Sequence, residues 1–185
     1  MDTFHVQEKL PAKSTSRHNT RKLRNAVPIM TINIPESENR LYLEYPFVGV
    51  GVVVWKENHF MLVQRAKPPR LGEWSIPGGR QKLGETTKDA ACREIQEETS
   101  IRIKILGLID VVDSIVTDEE GQVKYHATLI DYSALYVSGT PKAGDDAMDL
   151  GWFTLDQLPL LQIWEETSRI VRESTKFINP ATQNT

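Results

Sequence analysis

The chain has 185 residues, 39% of them hydrophobic and 25% charged, which suits one globular domain with a sizeable core and some additional tail. Its single cysteine excludes an internal disulfide and suits a reducing compartment. The longest apolar run, Phe47 to Trp55, is far shorter than the roughly 20 residues that cross a bilayer, and no signal-peptide core precedes it. We therefore expect a cytoplasmic protein without a membrane partner.

Charge is distributed unevenly along the chain. The net charge is −3, yet residues 9–24 contain six of the 22 Lys and Arg residues and no acid, which leaves 16 basic against 25 acidic residues elsewhere. A body this acidic does not suit nucleic acids, so we expect no nucleic-acid partner. The basic segment lacks interleaved aromatic residues, which favours a solvated tail over a contact with RNA, acidic lipid or a transit receptor.

The chain divides into three parts by composition. Residues 1–40 show no sustained hydrophobic period, and we predict an N-terminal extension that is flexible in part, with 27–34 as a candidate edge strand. Residues 41–178 form the predicted domain, and residues 179–185 form a polar tail.

The predicted domain begins with a strand from Phe47 to Trp55, which is apolar and β-branched throughout and should therefore lie centrally in a sheet. Residues 56–59 turn the chain, and residues 60–65 return as its hairpin partner. The next stretch leads to a glycine turn at Gly78–Gly79. Basic residues surround this turn and could counter phosphate charge or form a wet surface loop: Arg65, Lys67, Arg70 and Arg80.

A helix is predicted after the glycine turn, over residues 87–99. Thr86 followed by Asp89 matches a capping box, and no Gly or Pro interrupts the segment. Helical spacing sends one stripe of side chains towards a core, namely Cys92, Ile95 and Thr99. The opposite stripe carries three carboxylates at i, i+3 and i+4, namely Glu94, Glu97 and Glu98.

The three carboxylates repel one another, at a cost of roughly 0.2–0.5 kcal/mol per pair on an isolated helix, so we expect a cation to offset the repulsion. An oxygen-only ligand set suits Mg²⁺ or Mn²⁺ rather than zinc. Taken alone, an acidic helix face is more often a solvated surface than a metal site. The glycine turn that precedes this helix shifts the balance towards a metal site. A P-loop is excluded because Glu85 stands where that loop needs a lysine after Gly84.

The rest of the predicted domain is mostly β-structure. In chain order we predict one bent strand or two over 102–116, a turn at 117–121, a strand over 122–137, a loop over 138–147 with Asp145 and Asp146, a strand over 150–153, a helix beginning at 154–158 with Thr154 as its N-cap, and a last helix over about 163–177.

Gly79, Glu85 and the run from Arg93 to Ile101 resemble the Nudix box, G-x5-E-x7-R-E-U-x-E-E-x-G-U, where U is aliphatic. The sequence departs from the box at Ser100, which stands in place of the last glycine. A glycine would supply the left-handed residue that ends the helix, and serine in that conformation costs about 1 kcal/mol. We expect this departure to affect local stability and not chemistry.

The likeness covers roughly residues 46–175. Within the superfamily, the segment before the box and the run from Gly144 to Phe153 resemble the bacterial ADP-ribose pyrophosphatase-like group. The resemblance implies an α/β fold, a Nudix-type α/β/α sandwich around a mixed β-sheet. It also implies hydrolysis of the diphosphate bond of a nucleoside diphosphate linked to another moiety, by attack of water at phosphorus.

The substrate implied by the resemblance is an ADP-ribose-like nucleoside diphosphate derivative. Residues 116–118 lack the proline or tyrosine that marks some subgroups, so nucleotide sugars, NADH and oxidised nucleoside triphosphates stay open. The alternative is a catalytically weak Nudix-fold nucleotide sensor or binding module. A second copy of the chain, forming a homodimer, is the other partner considered.

The resemblance also implies roles for particular residues. Glu94, Glu97 and Glu98 would bind Mg²⁺, or Mn²⁺, together with a backbone carbonyl of Gly78 or Gly79, while Arg93 would orient the acids and Glu85 would lie in the outer ring of the site. The general base is either Glu94 or an acid of the later loop. In that loop Asp146 is favoured over Asp145, as a metal ligand or as the base. Substrate contacts are predicted for Arg65, Arg70 and Arg80.

Overall fold

The computed structural model describes residues 40–67, 70–144 and 147–178. The predicted extension over 1–39 with its candidate strand, the tail from 179, and Asp145 and Asp146 lie outside the described residues. The elements are β1 Phe47–Lys56, β2 His59–Arg65, β3 Trp74–Ser75, β4 Gly78–Arg80, α1 Thr87–Thr99, β5 Ile101–Thr117, β6 Val123–Gly139, β7 Ala147–Phe153 and α2 Glu165–Ser174, with 3₁₀ helices at Leu158–Leu160 and Thr175–Phe177.

Strand β1 lies at the centre of a mixed sheet. It runs parallel to β6 along nearly its whole length, with Gly51 opposite Asp131. Its other edge pairs antiparallel with β2 at one end and with β4 at the other. Strand β2 also pairs with β3 and β7, and β6 pairs with β5. The predicted central strand and its hairpin partner are confirmed.

The sheet separates two apolar clusters, because alternate residues of a strand point to opposite faces. Val52 and Val54 of β1 pack on the face that contains Ile95 of α1. Val53 and Trp55 pack on the other face, with α2 and its neighbours. A helix therefore covers each face of a mixed sheet, and the predicted α/β/α sandwich is confirmed.

The long β-structure after α1 forms one hairpin. Strand β5 is a single strand from Ile101 to Thr117, and its pairing with β6 shifts register at four places. These shifts bend the strand. The sequence predicts either one bent strand or two strands here, and the structure shows one bent strand. Among the described residues, no helix is long and apolar enough to span a membrane.

The helix predicted to begin at Thr154 is wrong. The Thr154 backbone N–H donates to Oε1 of Gln157 at 2.9 Å, which closes a turn, and a short 3₁₀ helix follows from Leu158 to Leu160. Pro159 explains the difference, because it lacks the N–H that an α-helix starting at Thr154 needs at that position. The last predicted helix is confirmed, with Thr167, Ile170 and Val171 buried in α2.

Candidate active site

Helix α1 spans the predicted residues 87–99, and its two capping residues behave as predicted. The Thr86 hydroxyl accepts a hydrogen bond from the Asp89 backbone N–H at 3.2 Å, which caps the first turn. Ser100 follows the helix with φ 59° and ψ 20°, and its N–H donates to the Gln96 carbonyl. The left-handed conformation expected at Ser100 is therefore confirmed.

The prediction that Cys92 faces the core is wrong, because its side chain is exposed. Ala91 and Ile95 take the inward positions of α1, and both are fully buried. Cys92 lies one residue after Ala91, about 100° further round the helix, and so turns away from the sheet. The thiol is still partly buried, and this burial raises its pKa. The negative charge of Asp89 raises the pKa further, as the smaller cause.

Arg93 binds the acids of the box directly. Its guanidinium donates to Glu85, to Oε1 of Glu94 at 2.7 Å and to Oε2 of Glu97 at 2.8 Å. It also donates to the Arg80 carbonyl at 3.0 Å. The cation expected to offset the repulsion between the helix carboxylates is thus, in part, a residue of the same helix.

Glu85 is held strongly in its ionised form. The hydrogen bonds from Arg93, followed by one from the Lys82 backbone N–H at 2.9 Å, lower the pKa of Glu85 to about 2. The same contact raises the pKa of Arg93 above its ordinary value. The loop between the glycine turn and α1 is therefore tied to the helix by a charge-assisted contact.

The glycine turn lies directly against α1. A Cβ atom at Gly79 would be 2.5 Å from the Glu94 carboxyl group, and one at Gly78 would be 2.0 Å from the Val50 carbonyl oxygen. The Gly78 backbone N–H donates to Oε2 of Glu98 at 2.9 Å. Only glycine allows this approach, which brings two of the three helix carboxylates against the backbone of the turn.

The loop after β6 returns to the end of α1. The Lys142 backbone N–H donates to the Thr99 carbonyl at 3.0 Å, and the Gly144 N–H donates to the Glu98 carbonyl at 2.8 Å. The described part of this loop therefore ends beside the carboxylate helix.

The donor chemistry of the site fits a hard divalent ion, since Glu94, Glu97 and Glu98 offer oxygen ligands only. Over the described ranges, however, no three carboxylate, imidazole or thiolate side chains are arranged so that they could hold a metal ion. In this arrangement Arg93 binds Glu94 and Glu97, whereas Glu98 accepts from Gly78.

A cavity of about 120 Å³ opens beside the glycine turn. Its lining extends from Gly78 and Gly79 to Arg65 and Arg70, two of the three predicted substrate-binding arginines. Arg80 is not part of the lining. Its guanidinium lies 5.3 Å from the centre of the Phe47 ring, and Phe47 lines the cavity.

Among the lining residues that sequence reasoning missed are Trp164 and Asp131. Trp164 lies at the start of the last predicted helix, and its ring faces the Arg70 guanidinium at 3.8 Å. Asp131 attracted no prediction, although it is the only acid inside a strongly apolar run of β6. An acid in such a run is the signal that could have found it.

The sequence pattern of the NUDIX domain matches residues 46–174. An ADP-ribose pyrophosphatase of Methanocaldococcus jannaschii is 35% identical over 140 residues, which cover 76% of this chain and 79% of the relative. The oxidized purine nucleoside triphosphate hydrolase of Mus musculus is 28% identical over 117 residues, 63% of this chain and 72% of the relative.

A solved structure shows the same fold. The MutT NUDIX hydrolase of Burkholderia pseudomallei superposes with a TM-score of 0.62 at 32% identity, over 70% of this chain and 98% of the other. The chain therefore belongs to the Nudix superfamily of hydrolases. It is a pyrophosphohydrolase, and the predicted membership in the superfamily is confirmed.

Proposed function

We propose that the chain hydrolyses the diphosphate bond of a nucleoside diphosphate linked to another moiety, with ADP-ribose as the favoured substrate. The observation that carries the proposal is that Gly78, Gly79, Arg65 and Arg70 line the same cavity. A diphosphate near the glycine turn would lie beside the box acids, and the arginines could bind phosphate oxygens. The relative from Methanocaldococcus, named an ADP-ribose pyrophosphatase, supports the choice of substrate.

The proposal includes a divalent metal ion, Mg²⁺ in the first place and Mn²⁺ as the alternative. Glu94, Glu97 and Glu98 would hold it, with a backbone carbonyl of Gly78 or Gly79. When bound, such an ion neutralises charge on the diphosphate and lowers the pKa of water. Arg93 would fix the positions of the acids through the hydrogen bonds that it donates to them.

We assign the general base, which takes a proton from the attacking water, to Asp146, with Asp145 and Glu94 as the alternatives. The hydrogen bond between the Gly144 N–H and the Glu98 carbonyl supports the choice, because it holds the start of the acidic loop beside α1. Asp146→Asn should lower kcat at least tenfold. Asp145→Asn tests the first alternative in the same way, and near-normal turnover by Asp146→Asn would remove Asp146 from the mechanism.

The experiment that tests the whole proposal measures phosphate release, coupled through an added phosphatase. The substrates are ADP-ribose, nucleotide sugars, NADH and nucleoside triphosphates, each with Mg²⁺ or Mn²⁺. Glu98→Gln is the matched variant, because its amide oxygen can still accept from the Gly78 N–H while the negative charge is lost. Metal-dependent turnover that the variant loses supports the hydrolase. Binding of ADP-ribose without turnover of any compound supports the nucleotide sensor instead.

A further inference from the structure

Asp131 is a deeply buried acid that none of the roles above uses. It lies in β6, opposite Gly51 of β1 and Asp110 of β5, and only 4% of its surface is exposed. Buried ionisable groups are ordinarily paired or hydrogen-bonded. No side chain or backbone group among the described residues donates a hydrogen bond to this carboxyl. A ligand that donates a hydrogen bond would satisfy it.

The carboxyl of Asp131 points into the cavity. A Cβ atom at Gly51 would lie 2.2 Å from Oδ1 of Asp131 and 2.7 Å from Cδ1 of Ile76, and these three residues line the cavity together. Ser133, two residues further along β6, differs from Asp131 in that its side-chain oxygen is completely enclosed. The Ser133 Oγ is the one polar side-chain atom of the described chain that is fully enclosed without a partner. Asp131 thus keeps an open side, and the cavity is on that side.

The cavity suits one ring system and not a whole nucleotide. Its volume of about 120 Å³ is below the roughly 300–1,000 Å³ that encloses a complete small-molecule ligand. Trp164, Trp74 and Phe47 contribute aromatic walls, and Ile76 and Leu129 contribute apolar ones. Flat aromatic surfaces bind nucleobases by stacking. With the diphosphate beside Gly79, the base would occupy the part of the cavity that Gly51, Ile76 and Asp131 line.

We propose that the Asp131 carboxyl determines base specificity by accepting a hydrogen bond from the amino group of the nucleobase. The cavity is then a pocket for an amino-bearing base such as adenine. This inference rests on the proposed function, which supplies a nucleotide as the ligand.

The carboxyl can accept this bond whether or not it is protonated. Burial, and next the charge of Asp110, raise the pKa of Asp131 to about 7, so both forms are present at neutral pH. Each form has a carboxyl oxygen that accepts an N–H. A ligand without the amino group would leave the buried oxygen unpaired, which is why such sites discriminate strongly against analogues that lack the group.

The test compares two ligands that differ in the amino group alone, AMP and purine riboside 5′-monophosphate. Calorimetric titration with Mg²⁺ present should show that the wild-type protein binds AMP at least tenfold more tightly. Asp131→Val should remove this preference by weakening AMP binding while the other ligand changes less than twofold. Asp131→Asn should retain a preference, because its amide oxygen also accepts. Ser133→Ala, a matched control on the same face of β6, should behave as the wild type.

Equal affinity of the wild-type protein for the two ligands overturns the proposal, and so does the absence of AMP binding at millimolar concentration. Equal weakening of both ligands by Asp131→Val also overturns it, since that result shows a structural role. The wild-type comparison needs no variant, so a variant that fails to fold does not remove the test. Hydrolysis of ADP-ribose is measured separately. Turnover without base preference rejects the role of Asp131 alone, and base preference without turnover rejects the hydrolase alone.

Discussion

Arg93 donates to both carboxylate oxygens of Glu85, through Nε to Oε1 and through Nη2 to Oε2, the second at 2.9 Å. The two residues are eight positions apart, on α1 and on the loop before it. Nη1 donates to Glu94 and Glu97, and Nη2 also donates to the Arg80 carbonyl. One planar cation therefore sets the positions of three acids, a geometry that the point charge of a lysine cannot reproduce.

Arg93→Lys should consequently lower kcat/KM for ADP-ribose about 10- to 100-fold, the range typical for residues that orient metal ligands. The apparent affinity for Mg²⁺, measured from the metal dependence of the rate, should fall as well. Arg172→Lys, an exposed arginine in the last turn of α2, serves as the control and should retain activity. A fully active Arg93→Lys variant would show that the fork of hydrogen bonds has no part in the reaction.

Gly79→Ala tests the close approach of the glycine turn to α1. The new methyl group would overlap the Glu94 carboxyl, so we expect Glu94 to move and kcat/KM to fall about 100-fold, as displacements of about 1 Å do at active sites. Gly121→Ala is the control, because Gly121 has φ 78° and open space around it. That variant should lose about 1 kcal/mol of unfolding free energy and keep its activity. Equal activity in the two variants contradicts the prediction.

The sequence was sufficient to predict the contacts that depend on short separations along the chain. Helical spacing places Glu94, Glu97 and Glu98 on one stripe, and the capping box sets where that helix begins. Spacing along one helix does not say which residues its neighbours cover. For that reason the spacing predicts a buried Cys92, whereas Ala91 and Ile95 occupy the inward positions in the structure.

The cavity was not predictable in the same way, because it depends on contacts between distant segments. Asp131 reaches it only because β6 pairs in parallel with β1 and Gly51 leaves room for the carboxyl. Trp164 reaches it by facing Arg70, 94 positions earlier in the chain. Neither pairing has a local signature. Pro159, by contrast, was visible in the sequence and argued against a helix at that point.

Ser100→Gly should stabilise the protein by about 1 kcal/mol, because glycine adopts φ 59° without the cost that a Cβ atom imposes. Urea unfolding monitored by circular dichroism measures the change. Ser100→Ala is the matched control and should bring no such gain, since alanine also carries a Cβ atom. Activity should be unchanged in both variants. A glycine variant no more stable than the alanine variant would show that the left-handed conformation costs nothing here.

Asp131 should make stability fall as pH rises from about 4 to 7. Below about 4 the carboxyl is protonated in both the folded and the unfolded chain, so it contributes no pH dependence. Between these values the unfolded chain ionises while the folded chain, in which the pKa of Asp131 is raised to about 7, keeps its proton. The folded state then binds more protons, and raising the pH favours unfolding. Above about 7 both states are ionised and the loss stays constant.

Asp131→Asn removes this titration. Its unfolding free energy relative to the wild type should therefore increase between pH 4 and 7 and level off above 7. The charges of Asp110 and Glu166 act in the same direction as burial, and that of Arg169 opposes it, so these three groups must be left intact in the comparison. Urea unfolding at each pH gives the difference, and Ser133→Ala should follow the wild-type curve. A difference independent of pH would mean that the Asp131 carboxyl is ionised in the folded protein throughout this range, with its pKa near that of the unfolded chain.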